Sequence, residues 1–165
     1  MSLIFGPSKV LSRPSERVSE DEFGENLNNI ANNMITVMNG FGGVGLAGVQ
    51  VGLNKRIIVA TLGGENVTMI NPEIKSVSEE VQKNSEGCLS FPLNTFVVTR
   101  PISLTVEYQG LDGKSVTEAF EGLDATIVQH EVEHLDGITV LDKVSRLKRD
   151  MYVRKFKKFR KKIGK

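Results

Sequence analysis

The order in which apolar patterns follow one another along the chain restricts the fold most strongly. Apolar residues recur at three- and four-residue spacing over residues 23–38, which predicts an amphipathic helix. Four β-rich runs come next, at residues 56–61, 67–70, 96–99 and 104–108, with turn signals at 63–64, 71–72 and 112–113. Helical patterns return at residues 124–135 and 146–163. This order is typical of an α+β fold with antiparallel sheets, and not of a βαβ repeat.

The helix ends carry recognisable signals. Ser19 and Glu22 have the spacing of a capping box, so the first helix is expected to begin there, and Gly40 is expected to end it. Asp124 is the expected N-cap of the second helix, with Gly137 beyond its end.

Composition excludes several classes of protein. A chain of 165 residues with 39% hydrophobic and 25% charged residues is typical of one soluble globular domain. It has no apolar run long enough to cross a bilayer, and its N-terminus does not resemble a secretory signal. A single cysteine cannot form an internal disulfide, which favours a cytoplasmic location.

Charge is distributed unevenly along the chain. Residues 146–165 carry 11 basic side chains and one acidic side chain, a net charge of +10, whereas residues 1–145 carry a net charge of −9. Apolar residues in the basic segment recur at helical spacing, at Tyr152, Phe156, Phe159 and Ile163. We therefore expect the chain to divide into an acidic body over residues 1–145 and a basic amphipathic C-terminal helix over residues 146–165.

The strongest chemical signal is the segment HEVEH at residues 130–134. On a helix, His130 and His134 differ in direction by about 40°, so both rings can bind one metal ion. Glu131 lies about 100° from His130, on the same broad face, where it can act as a general base. The alternative is two ordinary histidines in a structural helix.

A catalytic metal needs a third protein ligand. No His, Cys or Glu follows His134, and the aspartates that follow it are poorly placed. Upstream, the single cysteine, Cys88, stands in the segment EGCLS. A buried apolar role is common for free cysteine, but the incomplete two-histidine site favours ligation by Cys88. A thiolate with two imidazoles suits Zn, Fe(II), Co or Ni.

Three segments resemble the signature motifs of peptide deformylases in order and spacing: GVGLAGVQ at 43–50, EGCLS at 86–90 and QHEVEHLDG at 129–137. The resemblance implies antiparallel sheets around a central metal-binding helix, with N-terminal and C-terminal helices. It implies an enzyme that removes the formyl group from the formylmethionine of nascent polypeptides and releases formate. It also implies one divalent ion held by Cys88, His130 and His134, Fe(II) in the cell, with Zn, Ni or Co as other occupants.

The resemblance further implies individual roles. A metal-bound water attacks the formyl carbon with Glu131 as general acid and base. Gln50 and the backbone N–H of Leu89 donate to the developing oxyanion, and Glu86 pairs with Arg100 to support the cysteine segment. The extended substrate pairs with backbone around Leu89 and around Gly43, Val44 and Gly45.

The methionine side chain requires an apolar pocket. Ile127 lies about 60° from His130 around the helix, so it is a candidate for the pocket wall, with Val44 and Leu123. Simple core packing is an equal alternative for each of these three residues.

The basic C-terminal segment is expected to bind a partner. Basic C-terminal helices of related bacterial enzymes dock on the ribosome, so the tail is expected to bind there, with a solvated end or an anionic membrane surface as alternatives.

A metallopeptidase is a competing activity, which the upstream Cys88 opposes. A non-enzymatic protein with a structural metal is a third hypothesis, but a structural zinc site needs a fourth protein ligand.

Overall fold

The computed structural model describes residues 1–162, in which seven β-strands and three α-helices are found. The helices are α1 (Glu25–Gly40), α2 (Gly122–Leu135) and α3 (Arg146–Lys162). The strands are β1 (Gly45–Ala47), β2 (Ile57–Leu62), β3 (Glu65–Val77), β4 (Val81–Glu86), β5 (Phe96–Pro101), β6 (Ser103–Gln109) and β7 (Ser115–Glu121). Ile163, part of the predicted apolar stripe, lies outside the described residues.

The strands form two antiparallel sheets. One has five strands in the order β1-β2-β3-β6-β7, and the other pairs β4 with β5. Helix α2 contacts strands of both sheets and is buried along most of its length. The predicted α+β fold with antiparallel sheets around a central helix is therefore confirmed.

Strand β2 shows why the core has two layers. Successive side chains of a strand point to opposite faces of the sheet. Ile58 and Ala60 pack with the apolar residues of α2, whereas Ile57 and Val59 pack with those of α1. Because both faces are covered, β2 is apolar along almost its whole length.

The predicted start of the first helix is wrong. The Ser19 backbone N–H and hydroxyl both donate to Glu22, at 2.9 Å, but this pair closes only a short 3₁₀ turn. Phe23 then returns to an extended conformation, and Gly24 takes a positive φ of 135° before α1 begins at Glu25. The predicted end at Gly40 is confirmed.

The predicted N-cap of the second helix is also wrong. Helix α2 begins at Gly122, so Asp124 lies inside its first turn. The Asp124 carboxylate accepts a hydrogen bond at 3.0 Å from the backbone N–H of Gly63, in the β2–β3 turn. Its side chain therefore ties the helix to a hairpin instead of capping the helix.

Each of the four predicted β-rich runs lies in a strand, apart from Arg56, which comes just before β2, but the predicted turn at Asn71-Pro72 is wrong. These residues lie within β3, where the pairing with β6 shifts register between Ile70 and Glu73. Asn71 adopts a φ of 52° at this bulge, and its side chain bonds the backbone N–H and C=O of Val18.

Helix α3 packs against the segment between β4 and β5. The Tyr152 ring lies 5.9 Å from Phe91 and 5.5 Å from Phe96, in edge-to-face geometry. Phe156 stacks on Tyr152 and is buried in the same cluster. Within residues 1–162, no helix is long and apolar enough to span a membrane.

Candidate metal centre and active-site cleft

Helix α2 presents its two histidines one turn apart on one face. The rings of His130 and His134 lie 5.0 Å apart, centroid to centroid, and both residues are buried. A helix in the centre of the molecule has most of its length buried, so polar side chains such as these two histidines face the interior.

Cys88 completes a set of three potential ligands. It follows β4 and is buried, with its Sγ 3.3 Å from Nε2 of His134. The ligand atoms of Cys88, His130 and His134 all lie within 4.8 Å of one another. A tetrahedral ion would hold sulfur and nitrogen ligands about 3.6 Å apart, so the set fits one divalent ion.

The protonation of the two histidines differs because their surroundings differ. Burial holds the pKa of His134 well below its ordinary value, so its imidazole is neutral and can offer a lone pair. Burial alone would lower the pKa of His130, but hydrogen bonds to Cys88 and Glu86 outweigh burial and raise that pKa. Within residues 1–162, no fourth His, Cys, Asp or Glu belongs to the set, so an ion held by these three residues would have room for water or substrate, as a catalytic site requires.

Glu86 fixes the orientation of His130. The Nδ1–H of His130 donates to Glu86 at 2.9 Å, which turns Nε2 toward Cys88. Arg100 donates to the same carboxylate through Nε at 2.6 Å and Nη2 at 2.9 Å. Burial acts to raise the pKa of Glu86, but these bonds outweigh it and hold the pKa below its usual value. The implied Glu86–Arg100 pair is present, with Arg100 only 2% exposed.

Glu133 extends this pair into a chain of charges. Its carboxylate lies 3.0 Å from Nη1 of Arg100 and 2.7 Å from Nζ of Lys143. The chain joins β4, β5, α2 and the segment after α2. The pairing of Glu133 with Arg100 was not predicted, because the two residues lie far apart in the chain and no local spacing links them.

Glu131 faces the same interior space as the ligands. Within residues 1–162, its buried Oε2 has no hydrogen-bond partner. Burial raises the pKa of Glu131 to about 7. The carboxylate lies so close to Gly45 of β1 that a Cβ at that position would overlap it. A carboxyl group in this setting can both accept and release a proton near neutral pH.

Gln50 directs its amide nitrogen toward the three ligands. Its side-chain oxygen accepts the backbone N–H of Ala47 at 2.8 Å, which fixes the orientation of the amide. Its Nε2 then lies 3.1 Å from Oγ of Ser90 and 3.6 Å from Sγ of Cys88. Ser90 is fully buried and was not among the predicted site residues.

The predicted substrate-binding residues line one cleft of about 970 Å³, together with Gln50, Glu131 and two of the ligands, Cys88 and His130. The third ligand, His134, is buried and does not line the cleft. Ile127 is buried in its wall, whereas Val44 and Leu123 are 52% and 70% exposed at its rim. Leu89 packs its side chain against Gly43, where a Cβ would lie 2.6 Å from Cδ1 of Leu89. Strand β1, with Gly45, is an edge strand of the five-stranded sheet.

Other residues of the cleft were not predicted. They come from the N-terminal segment, from the end of α1 and from α3: Phe5, Phe41, Phe156, Phe159 and Arg160. The aromatic stripe of α3 was visible in the sequence, but its spacing alone does not show which part of the body it covers.

A family model and known protein sequences match this chain over most of its length. A family model described as polypeptide deformylase matches residues 2–150. The chain is similar to a peptide deformylase of Agrobacterium fabrum, with 41% identity over 161 residues and 94% of each chain covered.

Solved structures of peptide deformylases have the same fold as this chain. A crystal structure of peptide deformylase from Ehrlichia chaffeensis has a TM-score of 0.94 and 32% identity, covering 98% of this chain and 97% of that one. A Met-Ala-Ser-bound class I type b peptide deformylase from Acinetobacter baumannii has a TM-score of 0.85 and 34% identity, covering 87% of this chain and 98% of that one. The region matched by the family model includes every site residue from β1, α2 and the segment after β4.

Proposed function

Because this chain belongs to the peptide deformylase family, a family of metal-dependent enzymes, we propose that it removes the N-formyl group from the formylmethionine of nascent polypeptides. Water adds to the formyl carbon, the C–N bond breaks, and formate and a free α-amino group are the products. The observation that carries this proposal is a set of three buried potential ligands, two of which line the same cleft as the carboxyl of Glu131 and the amide of Gln50.

Cys88, His130 and His134 would hold the metal ion, and we propose Fe(II) as the native ion, with Zn, Ni or Co as alternatives. The mixed thiolate and imidazole set suits all four ions. When bound, the ion supplies Lewis acidity, which polarises a carbonyl group and lowers the pKa of water. Glu86 and Arg100 hold the His130 ring in the orientation that ligation needs.

Glu131 moves the proton. Its carboxylate takes a proton from the attacking water and later delivers it to the leaving amine, which would otherwise depart as an unstable anion. The buried position of Glu131, with one oxygen free of protein partners within residues 1–162, supports this role.

Gln50 and Leu89 stabilise the charge that develops on the formyl oxygen. The Nε2–H₂ of Gln50 and the backbone N–H of Leu89 are neutral donors, so they favour an oxyanion without binding the neutral substrate strongly. The hydrogen bond from Ala47 holds the Gln50 amide in the orientation that this role needs.

The cleft binds the substrate by its side chain and its backbone. Ile127 forms the wall for the methionine side chain, with Leu123 and Val44 at the rim. The free edge at Gly43, Val44 and Gly45 pairs with the extended peptide as an added strand. The Met-Ala-Ser peptide bound to the Acinetobacter baumannii relative supports a peptide substrate of this kind.

We also propose that the enzyme acts in the cytoplasm and that α3 binds the ribosome. Most of the exposed side chains of α3 are basic, while Tyr152 and Phe156 anchor the helix to the body. Replacing Arg154, Lys158 and Lys161 with Gln removes charge without removing the anchors. Co-sedimentation with ribosomes at low salt should fall markedly in this variant, and binding that does not change would exclude this role.

The decisive test measures formate release from formyl-Met-Ala-Ser. The protein is purified without oxygen, loaded with Fe(II), Ni(II) or Zn(II), and compared with Glu131→Ala and with Glu65→Ala, a surface control. We expect turnover by the wild type and by Glu65→Ala, and at least a 100-fold loss in Glu131→Ala. Metal content is measured in each variant. A metal-loaded wild type without turnover would refute the proposed reaction.

A further inference from the structure

The cleft extends beyond the metal ligands to the C-terminal helix. At that end it is lined by side chains from α3 and from the N-terminal segment, with two residues of the segment between β4 and β5: Phe156, Phe159, Arg160, Phe5, Pro92 and Asn94. None of these side chains has a role in the proposed chemistry, so this end of the cleft needs a separate explanation.

The position of this end is fixed by contacts on both sides. Lys155 of α3 donates through Nζ to the backbone oxygen of Leu93 at 2.7 Å and to Oδ1 of Asn94 at 2.5 Å. On the other side, the backbone N–H of Gly6 donates to the oxygen of Ser90 at 2.8 Å, which places Phe5 beside the same segment. Helix α3 and the N-terminal segment are therefore both held against the wall that carries Cys88.

Two aromatic rings remain accessible there. Phe159 is 38% exposed and Phe5 is 44% exposed, whereas Phe156 is buried. Half-exposed rings in a cleft continuous with the reaction centre can cover a peptide segment that extends from it.

Arg160 adds a positive charge to this apolar end. The salt bridges of α3 lie in its first turns, where Arg146 pairs with Asp150 and Arg149 pairs with Asp142. Within residues 1–162, no carboxylate is paired with Arg160. Its guanidinium group is exposed and can accept a carboxylate through two parallel hydrogen bonds.

We propose that Arg160, flanked by Phe159 and Phe5, binds a carboxylate of the substrate a few residues after the methionine. This inference rests on the proposed function, because it assigns the substrate to the same cleft. The C-terminus of a nascent chain is far from its N-terminus, so the carboxylate is an Asp or Glu side chain. Arg160 is then a specificity residue, and acidic nascent chains are preferred substrates.

The test compares pairs of amidated peptides, formyl-Met followed by alanines with one Glu or one Gln at the third, fourth or fifth position. The measured quantity is the Glu/Gln ratio of kcat/KM. For the wild type we expect a ratio of about two- to fivefold at one position, the range of a partly exposed ion pair. Higher salt should reduce this ratio.

Matched variants separate Arg160 from the general charge of the helix. Arg160→Gln and Lys157→Gln each remove one positive charge, but only Arg160 lines the cleft. We expect the ratio to fall to about one in Arg160→Gln and to stay unchanged in Lys157→Gln, in which the rate on Gln peptides should also be nearly unchanged. Arg160→Glu should favour a peptide with Lys at that position. A wild-type ratio of one at every position, or a ratio that survives Arg160→Gln, would overturn the inference.

Binding measurements keep this test independent of the proposed reaction. The unformylated peptides, with Glu or Gln, are titrated into the metal-loaded protein by calorimetry. Tighter binding of the Glu peptide that depends on Arg160, without any turnover, would support the inference and refute the reaction. Turnover with equal rates and equal binding for the Glu and Gln peptides would support the reaction and refute the inference.

Discussion

At the scale of single residues, Gly45 determines whether Glu131 can occupy its position in the cleft. A Cβ at Gly45 would overlap the Glu131 carboxylate, although the strand backbone there would accept any residue. We expect Gly45→Ala to displace the carboxylate and lower the rate of formate release at least about 100-fold, the contribution of a positioned acid or base. Metal content should remain unchanged, because the three ligands lie on other residues.

The control for this substitution is Gly40→Ala at the end of α1. A Cβ at Gly40 meets no atom within 4 Å, so the same chemical change should leave the rate unaltered. A normal rate in Gly45→Ala would show that Glu131 does not need its present position.

Sequence patterns can predict some residues of the site but not others. His130, Glu131 and His134 lie within one helical turn, so their shared face follows from helix geometry alone. The two histidines need a third protein ligand to hold a metal ion, which favoured Cys88, and the structure places Cys88 beside them. Glu133 and Arg160 could not be found in this way, because their partners or surroundings lie on distant elements and no local spacing encodes them.

At the scale of elements, Arg100 joins β5 to β4 and α2 through Glu86 and Glu133. Removing one partner of a buried ion pair leaves an uncompensated charge, which typically costs about 3–5 kcal/mol. We expect Arg100→Met to lower the free energy of unfolding in urea by about that amount. Lys75→Met, which breaks a surface pair with Glu73, should cost less than about 1 kcal/mol. Equal losses in the two variants would contradict the structural role of Arg100.

Helix α3 gives a second prediction at this scale. Phe156 is 4% exposed and stacks on Tyr152, so truncating it would leave a cavity under the helix. We expect Phe156→Ala to reduce stability by about 3–5 kcal/mol in thermal or urea unfolding. Leu147→Ala, on a residue that is 70% exposed in the same helix, should change stability by less than about 0.5 kcal/mol. If Phe156→Ala were as mild as Leu147→Ala, the helix would not be anchored as described.

The missed strands have a common physical cause. Strand β4 is polar and lies in a two-stranded sheet. It needs no apolar face, so it lacks the alternation that identifies β6. Strand β1 has three residues, too few for any period. At Asn71-Pro72 the predicted turn is wrong because the chain continues as one strand, with a bulge in β3 where the pairing with β6 shifts register.

At the scale of the whole molecule, the three ligands add a further connection between parts that packing and the Glu86–Arg100–Glu133 ion pairs already join. Cys88 extends from the two-stranded sheet, whereas His130 and His134 belong to the helix that covers the five-stranded sheet. A bound ion would therefore cross-link both sheets through α2. Without an ion, three polar side chains remain buried at the centre of the fold, where unsatisfied polar groups are costly.

Metal removal should consequently destabilise the entire domain. An ion present at about 1,000 times its dissociation constant stabilises the folded state by about 4 kcal/mol, which corresponds to about 8–16 °C in Tm for a domain of this size. We expect a chelator to lower Tm by that range and added metal to restore it. In Cys88→Ala the same additions should move Tm far less, because one ligand is lost. Helix α2 contacts both sheets, so unfolding should remain a single transition with and without the ion. An unchanged Tm after chelation would show that the site does not bind metal strongly enough to support the fold.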